Sequence, residues 1–222
     1  MYEKEKEILK NKESFNIEDL KLIVKILRAP GGCPWDAEQT HKSIIPGMIE
    51  ETYEVVEAIE DESADMLKEE LGDVLLQLVF HAEIESENGV FEFDDAVTDV
   101  CKKMIVRHPH VFGDVIAKDS ATVLNNWDKI KAATKDQKDL GEKLDSIAKP
   151  LPALIRTQKV MHKAAKEITV PSPKASEKLT ADEKRIGDIL ASAISECEKL
   201  DLQAETVLRH YCDAMIDAIK KQ

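Results

Sequence analysis

The chain has 222 residues, 43% of them hydrophobic and only 5% aromatic, and carries a net charge of -13. That is enough apolar material for a real core, in one domain or two small ones, and the scarcity of Gly and Pro beside abundant Ala, Leu, Ile, Glu and Lys predicts an all-α fold. The negative charge and the lack of any Lys/Arg cluster exclude a nucleic-acid polymer as partner, while small nucleotides stay open because a metal ion can screen their phosphates.

Residues 1–14 form a charged lead with no apolar run of membrane length, so neither a signal peptide nor a membrane contact is expected. Asn16 with Asp19 makes an N-cap for a helix that carries Ile17, Leu20, Ile23, Val24 and Leu27 at helical spacing to Arg28. The loop APGGCPWD ends it, because two glycines and two prolines forbid continuation. Trp35 in that loop reads either as a hydrophobic plug or as a platform for a base.

From Pro46 to Phe80 run two helical segments separated by an acidic break at 61–65. On the first, Met48, Ile49, Thr52, Val55, Val56 and Ile59 share one broad face; Glu50, Glu54 and Glu57 line the other, with Glu51 at the border. The second is apolar nearly all round, leaving a narrow strip of Glu70, Asp73, Gln77 and His81, and such a helix is expected to be buried. Glu51 with Glu54 and Glu70 with Asp73 sit at i and i+3, and an antiparallel hairpin sets the two pairs face to face. Clustered carboxylates repel unless protons or a cation compensate, and oxygen-only donors select Mg²⁺ or Mn²⁺ over zinc. In a chain with 34% charged residues, the bland alternative is a solvated helix face. A di-iron bundle would need ExxH pairs, which these two helices lack.

A further helix is predicted over 94–107, burying Ala96, Val97, Val100, Met104 and Ile105, with Lys103 and Arg107 one turn apart on one side. RHPHVFGD breaks it at Pro109 and turns Val111 and Phe112 inward; His108 and His110 read as structural, for want of a third metal ligand at suitable spacing. Ser120 or Asp119 caps a helix to about Ala133 that contains Val123, Trp127 and Ile130. Residues 134–150 are polar and lysine-rich and mark a linker, followed by helical patterns in LPALIRTQKVMHKAAKEI, at 183–199 and at 202–221. The cysteines at 33, 101, 197 and 212 show no CxxC spacing and read as reduced thiols of a cytoplasmic protein.

EExxE at 50–54, fifteen intervening residues and ExxD at 70–73 resemble the signature of the all-alpha nucleoside triphosphate pyrophosphohydrolases of the MazG family. GCPWDAEQTH at 32–41, RHPHVFGD at 107–114 and NWDKIK at 126–131 extend the resemblance over most of residues 16–133. It implies that Glu51, Glu54, Glu70 and Asp73 ligate Mg²⁺, with Mn²⁺ as the alternative, and that Glu50 orients or deprotonates the attacking water. Lys103 and Arg107 would hold the phosphates, with Trp35, Lys42 and Trp127 near the nucleotide. The implied reaction cleaves between the α- and β-phosphates, giving monophosphate and pyrophosphate in nucleotide-pool house-cleaning by a helical-bundle homodimer. The rival class is an inactive nucleotide-binding or regulatory scaffold.

The resemblance divides the chain into a catalytic domain at 1–133, a linker at 134–150 and a second copy at 151–222 that departs from the pattern. No second EExxE helix stands in ITVPSPKASEKL, and in KRIGDIL Arg185 replaces a glutamate, leaving only Asp188. A catalytically dead repeat, kept for packing or dimerisation, is the expectation.

Overall fold

A computed structural model describes the chain except residues 1, 117, 118, 121, 124, 125, 128, 129, 131–138, 177 and 222. The described residues are helices and turns without a named strand, and divide into two compact units, Met1–Val115 and Ile116–Gln222.

In the first unit the helices are α1 (Glu3–Lys10), α2 (Ile17–Arg28), α3 (Pro34–Glu38), α4 (Ile45–Glu60), α5 (Ala64–Glu87), α6 (Phe93–Arg107) and α7 (Pro109–Phe112). Asn16 caps α2 as expected: its side chain accepts from the amides of Glu18 and Asp19, and Asp19 returns a bond to the Asn16 amide at 2.8 Å. Asn16→Ala should cost about 1 kcal/mol in chemical denaturation, because two helix-end amides lose their acceptor.

α2 closes on its own exit. Gly32 donates to the Ala29 carbonyl at 2.8 Å and Cys33 to that of Leu27 at 2.7 Å. A Cβ on Gly32 would lie 2.2 Å from the Ile26 oxygen, so only glycine fits there.

The core is small and lies where α2 crosses the C-terminal half of α5: Val24, Ile44, Val79, Phe80 and Ile84, with Ile17, Leu20, Leu76 and Phe93 packed against them. Arg28 is buried beside it. Its Nε and Nη2 each meet a Glu87 oxygen at 2.8 Å, and its Nη1 donates to the carbonyls of Asp36 and Gln39 at 2.7 and 3.1 Å. The guanidinium carbon sits 5.1 Å from the centre of the Phe80 ring. One side chain thus ties α2 to the end of α5 and fastens the segment that leads into α4.

α4 and α5 form the antiparallel hairpin, turned at 61–63 with Glu62 in the left-handed region at φ 52 and with Ser63 capping α5. Burial is narrower than the apolar pattern predicts. Val79, Phe80, Ala82 and Ile84 are buried, but Leu71, Leu75 and Leu78 on the other side of α5 are open, Leu71 at 52%. The same holds for α6, where Ala96, Val97, Val100 and Ile105 are exposed and Met104 alone of the five expected core residues is half-buried. Helix α6 does end before Pro109, which starts α7, but Val111 and Phe112 point outward rather than into the core. Periodicity identifies the apolar side of a helix; it does not supply the surface that covers it.

The second unit contains α8 (Leu140–Asp145), α9 (Ala153–Ala165), α10 (Ala181–Lys199) and α11 (Ala204–Lys220). Before α8, Asp119 accepts from the Thr122 amide at 2.8 Å, and Ser120, Thr122, Val123, Asn126, Trp127 and Ile130 are helical; the rest of the helix expected there lies outside the described residues. The polar stretch 134–150 therefore holds a capped helix, with Asp139 accepting from the Glu142 amide at 2.9 Å and Lys143 paired to Glu167. Buried Gln158 on α9 pins the α10–α11 turn: its side chain donates to the Leu202 carbonyl at 2.8 Å and accepts from the Ala204 amide at 2.9 Å. Between α9 and α10 the described residues form turns and irregular chain, and a cavity of about 940 Å³ opens there, lined by Val160, Met161, Val170, Leu179 and Ile194 among others.

Candidate active site

The hairpin brings the predicted carboxylates together across α4 and α5. Carboxylate oxygens of Glu51, Glu70 and Asp73 lie within 4.8 Å of one another, all three side chains half-buried. Glu54 stands beside both Glu51 and Glu70 and acts on each carboxyl. Burial, followed by the Glu54 hydrogen bond and the charges of Asp73, Glu54 and Glu70, pushes the Glu51 carboxyl above the ordinary glutamate range. Glu70 is pushed up as well, by burial and then by the charges of Glu54, Glu69 and Asp73.

Such a cluster is poised for a countercharge. All donors are oxygens and no Cys or His joins them, so the set fits a hard divalent cation.

The linkage has a definite sign. A carboxyl whose folded pKa is raised binds protons more readily folded than unfolded, so its share of stability falls as pH rises through that window. Without metal, Glu51→Gln should therefore melt higher than wild type near neutral pH, with the gap closing as pH falls toward the mid-4s. Thermal melts in chelator at several pH values check this; a gap that widens on acidification would contradict it.

The other predicted site residues stand on several elements. Glu50 is exposed, one position from Glu51 on α4. Lys103 is exposed and Arg107 half-buried on the last turns of α6. Lys42 is exposed in the turn before α4, and Trp127 is half-buried in the second unit. Trp35 is not a plug: it stands 66% exposed on α3, since Arg28, not the indole, secures that segment.

Two features escaped the sequence reading. The polar strip of α5 continues past His81 to Glu85, and His41 from the segment before α4 bonds both, its Nδ1 2.7 Å from Nδ1 of His81 and its Nε2 2.6 Å from Glu85. Gly47 on α4 faces Gln77, where an added Cβ would meet the amide nitrogen at 3.0 Å. The i, i+4 run from Asp73 through Gln77 and His81 to Glu85 was the available signal; the partner, forty residues away, was not.

In the second unit Asp188 accepts from the Ser172 hydroxyl at 2.8 Å and from Lys184, one turn before it on α10. Lys184 holds the Asp188 carboxyl below its usual range, with Ser172 adding to the effect, and Arg185 is exposed beside them.

A sequence profile of the MazG nucleotide pyrophosphohydrolase domain matches residues 39–112, from the approach to α4 to the end of α7. Among curated proteins, the nucleoside triphosphate pyrophosphohydrolase/pyrophosphatase MazG of Thermotoga maritima is 36% identical over 92% of this chain and 84% of its own length. The nucleoside triphosphate pyrophosphohydrolase of Escherichia coli K12 is 37% identical over 87% of this chain and 81% of its own. An uncharacterized protein of Bacillus subtilis, YabN, is 49% identical over 62% of the chain, which spans only 28% of that longer protein. With the carboxylate hairpin in place and relatives matched nearly end to end, the chain belongs to the MazG family of nucleotide pyrophosphohydrolases.

Proposed function

We propose that the protein is a metal-dependent nucleoside triphosphate pyrophosphohydrolase that cuts between the α- and β-phosphates, releasing nucleoside monophosphate and pyrophosphate. The observation that carries this reading is the convergence of Glu51, Glu70 and Asp73, with Glu54 beside them. These four carboxylates hold the ion, Mg²⁺ or in its place Mn²⁺. An ion held there would supply charge neutralisation at the phosphate oxygens and polarise the phosphorus toward attack. Lys103 and Arg107 hold the remaining phosphate charge. Glu50, open to solvent beside Glu51, orients or deprotonates the attacking water. Trp35 and Trp127 offer faces to the base, and Lys42 a charge to the phosphates.

The domain reading goes with it. Residues 1–133 carry the chemistry, 134–150 join, and 151–222 are a worn second copy, supported by the pairing of Asp188 with Lys184 and by the cavity beside α10 where no carboxylate helix stands. The open apolar side chains of α5 and α6 support a homodimer that covers them. No helix among the described residues is long and apolar enough to cross a membrane, and the four cysteines are free; both suit a cytoplasmic enzyme of nucleotide-pool maintenance.

The test is product analysis with a panel of standard and modified nucleoside triphosphates, with and without Mg²⁺. Pyrophosphate with monophosphate, formed only with metal, is the expected result. Orthophosphate release would mean a different bond is cut, and no turnover at all would leave the scaffold reading.

A further inference from the structure

The polar strip of α5 is one continuous track. Glu70, Asp73, Gln77, His81 and Glu85 fall within about 120° of the helix circumference at 100° per residue, and Asp73 to His81 is a rise of about 12 Å. α4 lies against it in register, Glu51 meeting Asp73 and Gly47 meeting Gln77. Midway, the Gln77 side chain packs against the bare backbone at Gly47. One end of the track is therefore the acid cluster, and the other is a pair of imidazoles.

The hydrogen bonds fix what that end presents. The rings of His41 and His81 are parallel to within 6°, with centroids 5.0 Å apart. That separation exceeds the 2.7 Å between their Nδ1 atoms by about two ring radii, so the rings lie end to end in a common plane. Face-to-face stacking does not describe them.

A neutral His41 facing the Glu85 carboxylate carries its proton on Nε2, because the carboxylate only accepts. Its Nδ1 is then a lone pair, so His81 must donate from Nδ1 and is left with a bare Nε2. Burial keeps His81 below its ordinary value and favours its neutral form. Among the described residues no partner takes Nε2, and it is not shut away from solvent.

We infer that Nε2 of His81 is a specificity contact of the substrate groove, a fixed acceptor for an N–H or O–H of the nucleoside whose phosphates sit at the carboxylate end. Glu85 and His41 are positioning residues that act through it by holding its tautomer. The inference rests on the pyrophosphohydrolase reading for its ligand, and the donor is either an exocyclic base amine or a ribose hydroxyl.

Two measurements test it. In ¹⁵N-correlated spectra of the imidazoles near pH 7.5, wild-type His81 should show a protonated Nδ1 and a bare Nε2, and Glu85→Ala should convert it to a tautomer mixture. A merely structural array would tolerate either tautomer, and a protonated Nε2 in wild type would overturn the assignment. Titration with a Mg²⁺-loaded triphosphate bearing an uncleavable methylene bridge between its α- and β-phosphates should shift that Nε2 signal; no shift would likewise overturn it. If the shift occurs without turnover of any triphosphate, the groove assignment stands and the enzyme reading falls.

The second measurement is steady-state kinetics on matched pairs. ATP against ITP and CTP against UTP report a base amine, and ATP against dATP reports the ribose. His81→Phe should raise KM about tenfold for the preferred member of one pair, bring that pair's ratio of kcat/KM near one and leave kcat little changed. His81→Gln, polar and of similar length, serves if the phenylalanine variant does not fold. Turnover with every ratio unchanged in a folded variant would overturn the inference.

Discussion

Replacing Asp73 or Glu54 by alanine should lower pyrophosphate release by about a thousandfold or more while leaving the helical circular dichroism spectrum intact. The loss is large because the cluster works as a unit: Glu51, Glu70 and Asp73 present their oxygens within 4.8 Å of one another, and withdrawing one leaves an ion under-neutralised and displaced. Stability should move the other way. Glu51 and Glu70 are held above the ordinary glutamate range by burial and by their neighbours' charges, so deleting one of those neighbours removes repulsion from the metal-free fold. The signature is a variant that melts higher than wild type in chelator and gains less from added Mg²⁺. Wild-type turnover in either variant would remove the centre from this hairpin.

The largest loss of stability is expected at Arg28. Arg28→Ala should destabilise the first unit by about 3 kcal/mol, toward the lower end for a broken buried ion pair because Glu87 keeps part of its contact with water. The substitution strands the Glu87 carboxylate and leaves the carbonyls of Asp36 and Gln39 without the donor they share. Arg28→Lys should recover little, since one ammonium cannot serve a carboxylate and two carbonyls in the directions a planar fork reaches. Denaturant titration followed in the first unit's transition measures both. A lysine variant as stable as wild type would show that charge alone suffices.

Local chemistry made the hairpin readable. Glu51, Glu54, Glu70 and Asp73 announce themselves by spacing, the acidic break at 61–65 marks the turn, and Asn16 with Asp19 marks the start of α2, all from residues within a few positions of each other. Arg28 announced nothing: at the end of an amphipathic helix it reads as an ordinary basic C-terminus, and its partners stand 8, 11 and 59 residues away, two of them backbone. His81 was visible as a polar residue on an apolar helix, but its meaning depends on a ring forty residues earlier. The opposite error arose on α6, where a clear apolar stripe predicts burial and the first unit offers nothing to cover it.

On the proposal that residues 151–222 are a worn second copy, the pairing of Asp188 bears on its descent. Its carboxylate already answers to Lys184 and Ser172, so changing Arg185 to glutamate would place a second acid beside a neutralised one. No ion would be gained. Recovery would need Lys184 altered in the same molecule, together with a new helix in the stretch between α9 and α10. A change of this kind works as a ratchet: drift passes it easily in one direction and has no graded path back.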